Sequence, residues 1–359
     1  LEVEDVAAGG GKKKLQKSLV VFLKAGPIKN RPGLILGQGV DKRGKKMSHW
    51  VSTEDKTVGA HHAKAGEHVT FKPVGESKHA HGRVVAADKH GATVETVGGQ
   101  HLQVPRDNLK HGLRFRPHKF GGSKMSDHDI EHIHEHLGKP EAHDYHRDVH
   151  DEDSAYASAE VAQKEFTRIL IGTGGLADKI GGEAFVGDAD GAMKHLREHP
   201  ETPVIMVAPI KGRTRAREKA AKNDHGWKEV RDLVRGTIVV PNLDSVPKAL
   251  KAIKESGIKV ARIKNRFHTP AGDNRDILMN MELPNGHIGE LQVHIGAQIQ
   301  AKETFGGHAH YEVQRQFDER KEKGRPPPMT AAEETAYAHA KSHQKDLYGQ
   351  AWNAARGKI

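Results

Sequence analysis

Five cations, Lys211, Arg213, Arg215, Arg217 and Lys219, mark the stretch with the clearest chemical content. They follow an apolar run that reads as a strand, and they open a helix. Cations about one helical turn apart project from related faces. A helix start adds backbone N–H donors and the positive end of the dipole. The set can hold a polyphosphate, although a solvated basic helix carries the same residues. Asp232 lies just before a strongly apolar strand, in Val230-Arg231-Asp232-Leu233-Val234-Arg235. A carboxylate at a sheet margin suits a hard cation such as magnesium, but Asp also starts many strands and turns. In Gly289-Glu290-Leu291-Gln292-Val293-His294, strand alternation puts Glu290, Gln292 and His294 on one face and Leu291 and Val293 on the other. That polar face lines a cleft or meets solvent. Asp232 and Glu290 on neighbouring strands could together hold one magnesium ion, which would neutralise and align a triphosphate.

The elements that must position these residues follow from the apolar pattern. Residues 155–171 read as a helix with Val161, Phe166, Ile169 and Leu170 on its apolar face, stopped by Gly172-Thr173-Gly174-Gly175. Helices are expected over 188–198, 214–222, 243–255, 296–304, 308–322 and 330–353. Strands are expected over 204–207, 236–240, 258–263, 276–281 and 288–294, with Pro284-Asn285-Gly286 turning between the last two. Strands mixed with helices in this order predict an α+β domain, a mixed sheet flanked by helices. It spans 155–325 and is followed by a C-terminal helix in 326–359, beyond Pro326-Pro327-Pro328.

The N-terminal part has a different texture. Residues 1–60 form a basic segment whose first 15 residues read as disordered, with Gly9-Gly10-Gly11 running into Lys12-Lys13-Lys14. Within 61–112, short runs rich in β-branched residues at Val69, Gly82–Val85, Ala92–Glu95 and Leu102–Val104 predict a small antiparallel β-barrel module. Residues 113–154 read as a linker with His128, His132, His134, His136, His143, His146 and His150. His132 and His136 have the i,i+4 spacing of a zinc pair. The interleaved acids favour a solvated, charge-mixed segment instead.

Composition narrows the partners. The formal charge of +10 and pI near 9.4 suit an anionic partner such as a nucleotide or nucleic acid. The absence of cysteine removes disulfides, thiolate metal sites and cysteine nucleophiles. Aromatics make up only 5% of the chain, which favours several compact modules over one large core. No apolar run approaches the ~20 residues of a membrane span, so the expected location is cytoplasmic. The chain begins at Leu1 without a leader-like stretch, as a processed product or an excerpt of a longer polypeptide would.

Several of these runs resemble the RelA/SpoT synthetases, a nucleotidyltransferase-like family, in the family's order. Asp232-Leu233-Val234-Arg235-Gly236-Thr237-Ile238-Val239-Val240 resembles the strand whose Asp binds magnesium. Glu290-Leu291-Gln292-Val293-His294 resembles the Glu-x-Gln-x-(Arg/His) strand whose Glu completes the metal site. Lys211 and Lys219 share the eight-residue separation of the ATP-binding lysines, and Lys264 sits near the basic position before the acceptor loop. His308 to Arg315 resembles the closing helix. Ala25-Gly26-Pro27, Pro32-Gly33-Leu34 and the β-module resemble, more loosely, modules of phage portal and capsid-associated proteins.

The main resemblance implies transfer of pyrophosphate from ATP to a ribose 3′-hydroxyl, with magnesium as cofactor. It implies Asp232, Glu290 and Arg235 as catalytic residues, the first two also as metal ligands. Lys211, Arg213, Arg215 and Lys219 would bind ATP, and Lys264, Asn274, Arg275, Gln292 and His294 the acceptor. Departures from the family stand at Pro209 and Thr237, where arginines are usual, and at Leu278 in place of a histidine. Asn274, or Asp273 if the loop shifts, takes the place of a guanine-stacking tyrosine, and neither offers a π-face. The acceptor therefore stays open between a GDP/GTP-like nucleotide, an adenine nucleotide and an RNA 3′ end. His146-Arg147-Asp148 and His128-Asp129 match the family's hydrolase centre only superficially, so hydrolysis is not expected. An effector associated with a phage particle and delivered into a host cytoplasm would fit the N-terminal likeness. The alternative is a module of the same fold that binds nucleotide or RNA without catalysis.

Overall fold

The computed structural model describes residues 63–73, 79–88, 90–105, 108–109, 113–322 and 329–358. Before residue 63 it describes only the backbone of β1 (Glu4–Val6), β2 (Lys12–Lys14), β3 (Val21–Pro27), β4 (Leu34–Val40) and β5 (Lys46–Ser52). β1 and β2 fall within residues 1–15, where the sequence predicts disorder. The rest of that basic segment lies outside the described residues, as does the triple proline at 326–328.

The chain divides into two compact units, Leu1–Thr96 with Gln100–Arg114, and Val97–Gly99 with Phe115–Ile359. In the first, β6 (His68–Phe71), β7 (Ala80–Ala87), β8 (Gly91–Thr96), β9 (His101–Pro105) and β10 (Leu113–Arg114) form an antiparallel sheet in the order β10-β6-β7-β8-β9. Val69, Phe71, Val84, Val94 and Val104 alternate inward and make its core. The expected barrel is not closed, because no ladder joins β9 to β10 among the described residues. β10 is only two residues long, too short to complete a ring.

The second unit is built on a six-stranded mixed sheet in the order β11-β12-β13-β16-β15-β14. Its strands are β11 (Glu183–Val186), β12 (Val204–Val207), β13 (Arg235–Val240), β14 (Lys259–Asn265), β15 (Ile277–Glu282) and β16 (Ile288–Ile295). β11 pairs parallel with β12 and β13 parallel with β16, while the other neighbours are antiparallel. The helices are α1 (Asp127–His132), α2 (Glu152–Ile171), α3 (Leu176–Ile180), α4 (Ala189–Glu198), α5 (Arg213–Ala220), α6 (Val246–Glu255), α7 (Gly296–Glu303), α8 (Gly307–Glu322) and α9 (Ala331–Ala355). Among the described residues no helix is long and apolar enough to cross a membrane.

Helix α2 shows why the sheet has two unlike faces. Ala155, Ala159, Ala162, Phe166 and Leu170 recur at helical spacing and are fully buried. They share one core with Ile205, Ile238, Val293 and the α6 residues Leu250 and Ile253. The contact is close enough that a Cβ on Gly236 would stand 2.9 Å from Leu170 Cδ1 and 3.0 Å from Phe166 Cε1. Glycine there lets the helix lie directly on β13. α2 ends at Ile171 and Gly172 caps it, as the glycine run predicts.

From Phe115 on, the expected linker at 113–154 is folded into the second unit. Ile130, Ile133, Leu137 and Val149 belong to its core. The alternation of His with Asp and Glu hid these apolar positions, which are spaced too irregularly for a long amphipathic helix. His128, His132, His136, His143 and His150 are exposed, in keeping with a solvated face. His132 Nδ1 is engaged 2.7 Å from Glu135 Oε1. His146 differs, being 1% exposed. Its Nδ1 accepts from the Ile288 N–H at 3.1 Å, so Nε2 carries the proton and donates to the Val230 carbonyl at 3.0 Å. This imidazole ties the segment to the approach of β13 and the start of β16. His287 packs on it with ring centroids 4.3 Å apart, and its Nδ1 meets Ser158 Oγ at 3.0 Å.

Burial pushes both imidazoles below the ordinary histidine value, His287 to about 3. Each is neutral when folded and takes up a proton when unfolded. Their contribution is therefore complete above the unfolded value and is lost as pH falls. Between the ordinary histidine value and about pH 3, stability should drop by about 1.4 kcal/mol per pH unit through His287, and His146 adds a loss of the same sign. Urea midpoints measured across that range should show a shallower slope in His287→Asn than in the unaltered chain.

Candidate active site

The segment between β12 and α5 is stitched to two neighbours by its own backbone. The Ala208 N–H donates to the Arg235 carbonyl at 3.1 Å, and the Lys211 N–H to the Leu233 carbonyl at 3.0 Å. From α2, Tyr156 Oη donates to the Lys211 carbonyl at 2.6 Å and Gln163 Nε2 to the Ala208 carbonyl at 3.0 Å. Held on both sides, this segment fixes where Lys211 and the following helix point.

Both lysines point at Asp232. Lys211 Nζ lies 2.6 Å and Lys219 Nζ 3.0 Å from the same carboxylate oxygen, Oδ2. Asp232 is 8% exposed, and its Oδ1 is buried with no hydrogen-bond partner. Burial pushes its carboxyl up, but Lys219 and Lys211 outweigh that and hold it below the ordinary carboxylate value. The remaining cations of the run also have acidic partners. Arg213 and Arg217 share Glu152 at 2.7 and 2.6 Å, and Arg213 stacks over the Tyr156 ring at 4.4 Å. These two arginines, Arg217 foremost, draw Glu152 down to about 2. Arg215 reaches Glu312 on α8 at 3.2 Å.

Beside this cluster lies a cleft of about 460 Å³ on the sheet face that α2 does not cover. The parallel ladder sets Arg235 opposite Glu290 and Thr237 opposite Gln292, and all four line the cleft. Phe185, Met193, Met206 and Ile299 form its apolar wall, and Asp188, Lys302 and Glu303 also line it. Arg235 connects the two parts: besides lining the cleft, its Nη1 reaches the Asp232 carbonyl at 3.4 Å. The side chains of Asp232, Lys211 and Lys219 do not line the cleft themselves.

The expected acceptor residues divide. Lys264 is exposed on β14. Burial of part of its stem, with Arg262 and Arg266 nearby, lowers its ammonium value, while Glu290 opposes that shift. Gln292 is in the cleft, where its Nε2 donates to Glu290 Oε1 at 2.7 Å. His294 is fully buried and faces Gln292, so as placed here it cannot touch an acceptor. Asn274 donates to Asp276 Oδ2 at 3.3 Å, and Arg275 donates to the Phe267 carbonyl at 2.6 Å while stacking on Trp352 at 4.4 Å. Neither is among the cleft residues. The loop at 271–275 is thus held by internal contacts.

Sequence reasoning missed Asp276, Phe185 and β11. Asp276 is fully buried and lies 2.7 Å from Arg266 Nε across the β14–β15 connection. An Asp beside an Arg at a strand start reads as a turn, and only the fold shows the pairing with Arg266. β11 is short and mostly exposed, so it carries no apolar run to find.

No family model matches the chain, and no curated protein matches it. Among solved structures it is similar to the type VI effector Tas1 in complex with its immunity protein. That likeness has 22% identity over 54% of this chain and 95% of the other, with a TM-score of 0.35. It is also similar to the small alarmone synthetase 1 from Bacillus subtilis bound to its product pppGpp. There the identity is 13% over 44% of this chain and 83% of the other, with a TM-score of 0.25. Neither bears on the phage-type module expected toward the N-terminus. The chemistry of this chain rests on its own residues.

Removing both lysines would leave Asp232 charged, buried and unpaired. Lys211→Met with Lys219→Met should cost about 3 kcal/mol of unfolding free energy. Lys219→Met alone, its side chain 39% exposed and its partner still held by Lys211, should cost roughly 1 kcal/mol. In an Asp232→Asn background the same lysine changes should cost little. Urea titrations of the full cycle would reveal the coupling.

Proposed function

We propose that the second unit transfers pyrophosphate from ATP to the 3′-hydroxyl of a nucleotide or an RNA end. The observation that carries this reading is the end of the β13–β16 pair. There Arg235, Glu290 and Gln292 line one cleft, and Arg235 links it to Asp232 with its two lysines. A basic helix start, two carboxylates and an enclosed apolar wall are the parts that polyphosphate transfer on a nucleoside requires.

In this reading the acceptor 3′-oxygen bonds to the β-phosphorus of ATP. The bond from that phosphorus to the oxygen bridging toward the α-phosphate breaks, and AMP leaves with the electron pair. The hydroxyl proton passes to the Glu290 carboxylate, which the Gln292 amide orients at 2.7 Å. Arg235 faces the charge that shifts in the transferring group. Lys211 and Lys219 bind the ATP phosphates after exchanging Asp232 for them. Arg213 and Arg215 do the same from Glu152 and Glu312. Lys264 and Gln292 face the acceptor, while Asn274, Arg275 and His294 shape its surroundings from behind.

A magnesium ion belongs to this reading. Asp232 Oδ1 is a hard oxygen donor, buried and without a partner, and Glu290 supplies a second carboxylate at the adjoining strand end. Asp232 and Glu290 would hold it, and once bound it would neutralise phosphate charge and assist alignment.

The test is incubation with ATP labelled in its γ-phosphate, with GDP, GTP, ADP, ATP and uncharged tRNA as separate acceptors. AMP release matched by label on one acceptor is expected, and that acceptor settles the choice left open by Asn274. Asp232→Ala and Glu290→Ala should each lower the rate by about 100-fold or more. Release of ADP instead of AMP would mean transfer of a single phosphoryl group and defeat the reading. Tight nucleotide binding with no product would favour the binding module that lacks catalysis.

A further inference from the structure

Behind Glu290 the polar face of β16 continues into the core. Gln292 Nε2 donates to Glu290 Oε1 at 2.7 Å, and Gln292 Oε1 lies 2.9 Å from His294 Nε2. The same nitrogen is 3.4 Å from Asp276 Oδ2. Asp276 in turn has Arg266 Nε at 2.7 Å from its Oδ1 and Asn274 Nδ2 at 3.3 Å from its Oδ2. His294 and Asp276 are both 0% exposed. Two such polar side chains in a core are costly unless satisfied, and nothing in the pyrophosphate chemistry uses them directly.

The chemistry of the chain fixes its polarity. A carboxylate only accepts, so Gln292 must turn its NH₂ toward Glu290 and its carbonyl toward the ring. The ring must then present an N–H at Nε2. His294 Nδ1 is buried with no partner, consistent with a neutral ring protonated at Nε2 alone. Burial, then Lys302 and Arg266, keeps that imidazole well below its ordinary value, so it stays neutral.

We propose that His294 and Asp276 are positioning residues. They lock the Gln292 amide in the one orientation that donates to Glu290, which keeps that carboxylate aimed into the cleft. This rests on the role given to Glu290 above. Neither residue touches a substrate. Asp276 holds the His294 proton on Nε2, His294 holds Gln292, and Gln292 holds Glu290. The family resemblance placed His294 with the acceptor. Its full burial moves it one step back from the chemistry.

The test has two arms. In the full chain labelled with ¹⁵N-histidine, the His294 ring should show a protonated Nε2 and a bare Nδ1. In His294→Leu, kcat should fall by about 10- to 100-fold, with KM for ATP changed less than about two-fold. His294→Gln, which can still offer an N–H toward Gln292, should recover at least part of kcat. A ring protonated at Nδ1, or doubly protonated, overturns the proposal, and so does equal kcat in the Leu and Gln variants. If His294→Leu does not fold, the ring tautomer and the Gln variant still decide. If the unaltered chain makes no AMP with any acceptor, the functional reading fails while the tautomer result judges the network by itself.

Discussion

A parallel pairing in the middle of the sheet governs everything that can happen on it. β13 and β16 run side by side in the same direction, with Arg235 opposite Glu290. Parallel neighbours cannot be joined by a tight turn. The chain therefore travels through α6 and the β14–β15 hairpin before it returns. That detour builds the outer half of the sheet and delivers Glu290 to the same end as Asp232. A register slip of one residue would exchange Glu290 and Gln292 for Leu291 and Val293, putting apolar side chains in the cleft and a carboxylate and an amide in the core. Because Ile238, Val293 and α2 share one tight core, such a slip is heavily penalised. The same packing that stabilises the domain thus holds its polar face in register.

Much of this was legible in the sequence, for identifiable reasons. The strands at 235–240 and 288–295 are apolar on one face and uninterrupted, so their ends were placed to within one residue. The helix at 246–255 has a clear stripe of buried residues and ends near Gly257. Lys211, Lys219 and Asp232 do converge, although spacing alone could not show that both lysines would choose one oxygen. The failures came where local pattern and long-range contact disagree. Residues 115–154 are polar enough to pass for a linker, yet Ile130, Ile133, Leu137 and Val149 anchor them. His146 was one histidine among many until its two hydrogen bonds, to Val230 and to the start of β16, set it apart. His294 alternates with Glu290 and Gln292, and alternation cannot tell a cleft residue from one behind it.

The two carboxylate systems of the site differ in kind. Asp232 is held charged by neighbouring ammonium groups and belongs to the phosphate-facing side. Asp276 is buried so deeply that its value rises despite Arg266. The first is arranged to exchange partners and the second to keep them. Exchangeable contacts on the phosphate side and fixed contacts in the core suit a site that must admit a polyanion while holding its acid–base group still.

The lysines of the phosphate cradle rest on a built-in anion. A polyphosphate that displaces Asp232 frees few ions from solution, because the ion it replaces is part of the chain. Binding of an anion to bare surface cations releases small ions and weakens steeply with salt. Here much of that entropic gain is forfeited in advance. Nucleotide affinity should accordingly vary with ionic strength far less than a net charge of +10 would suggest.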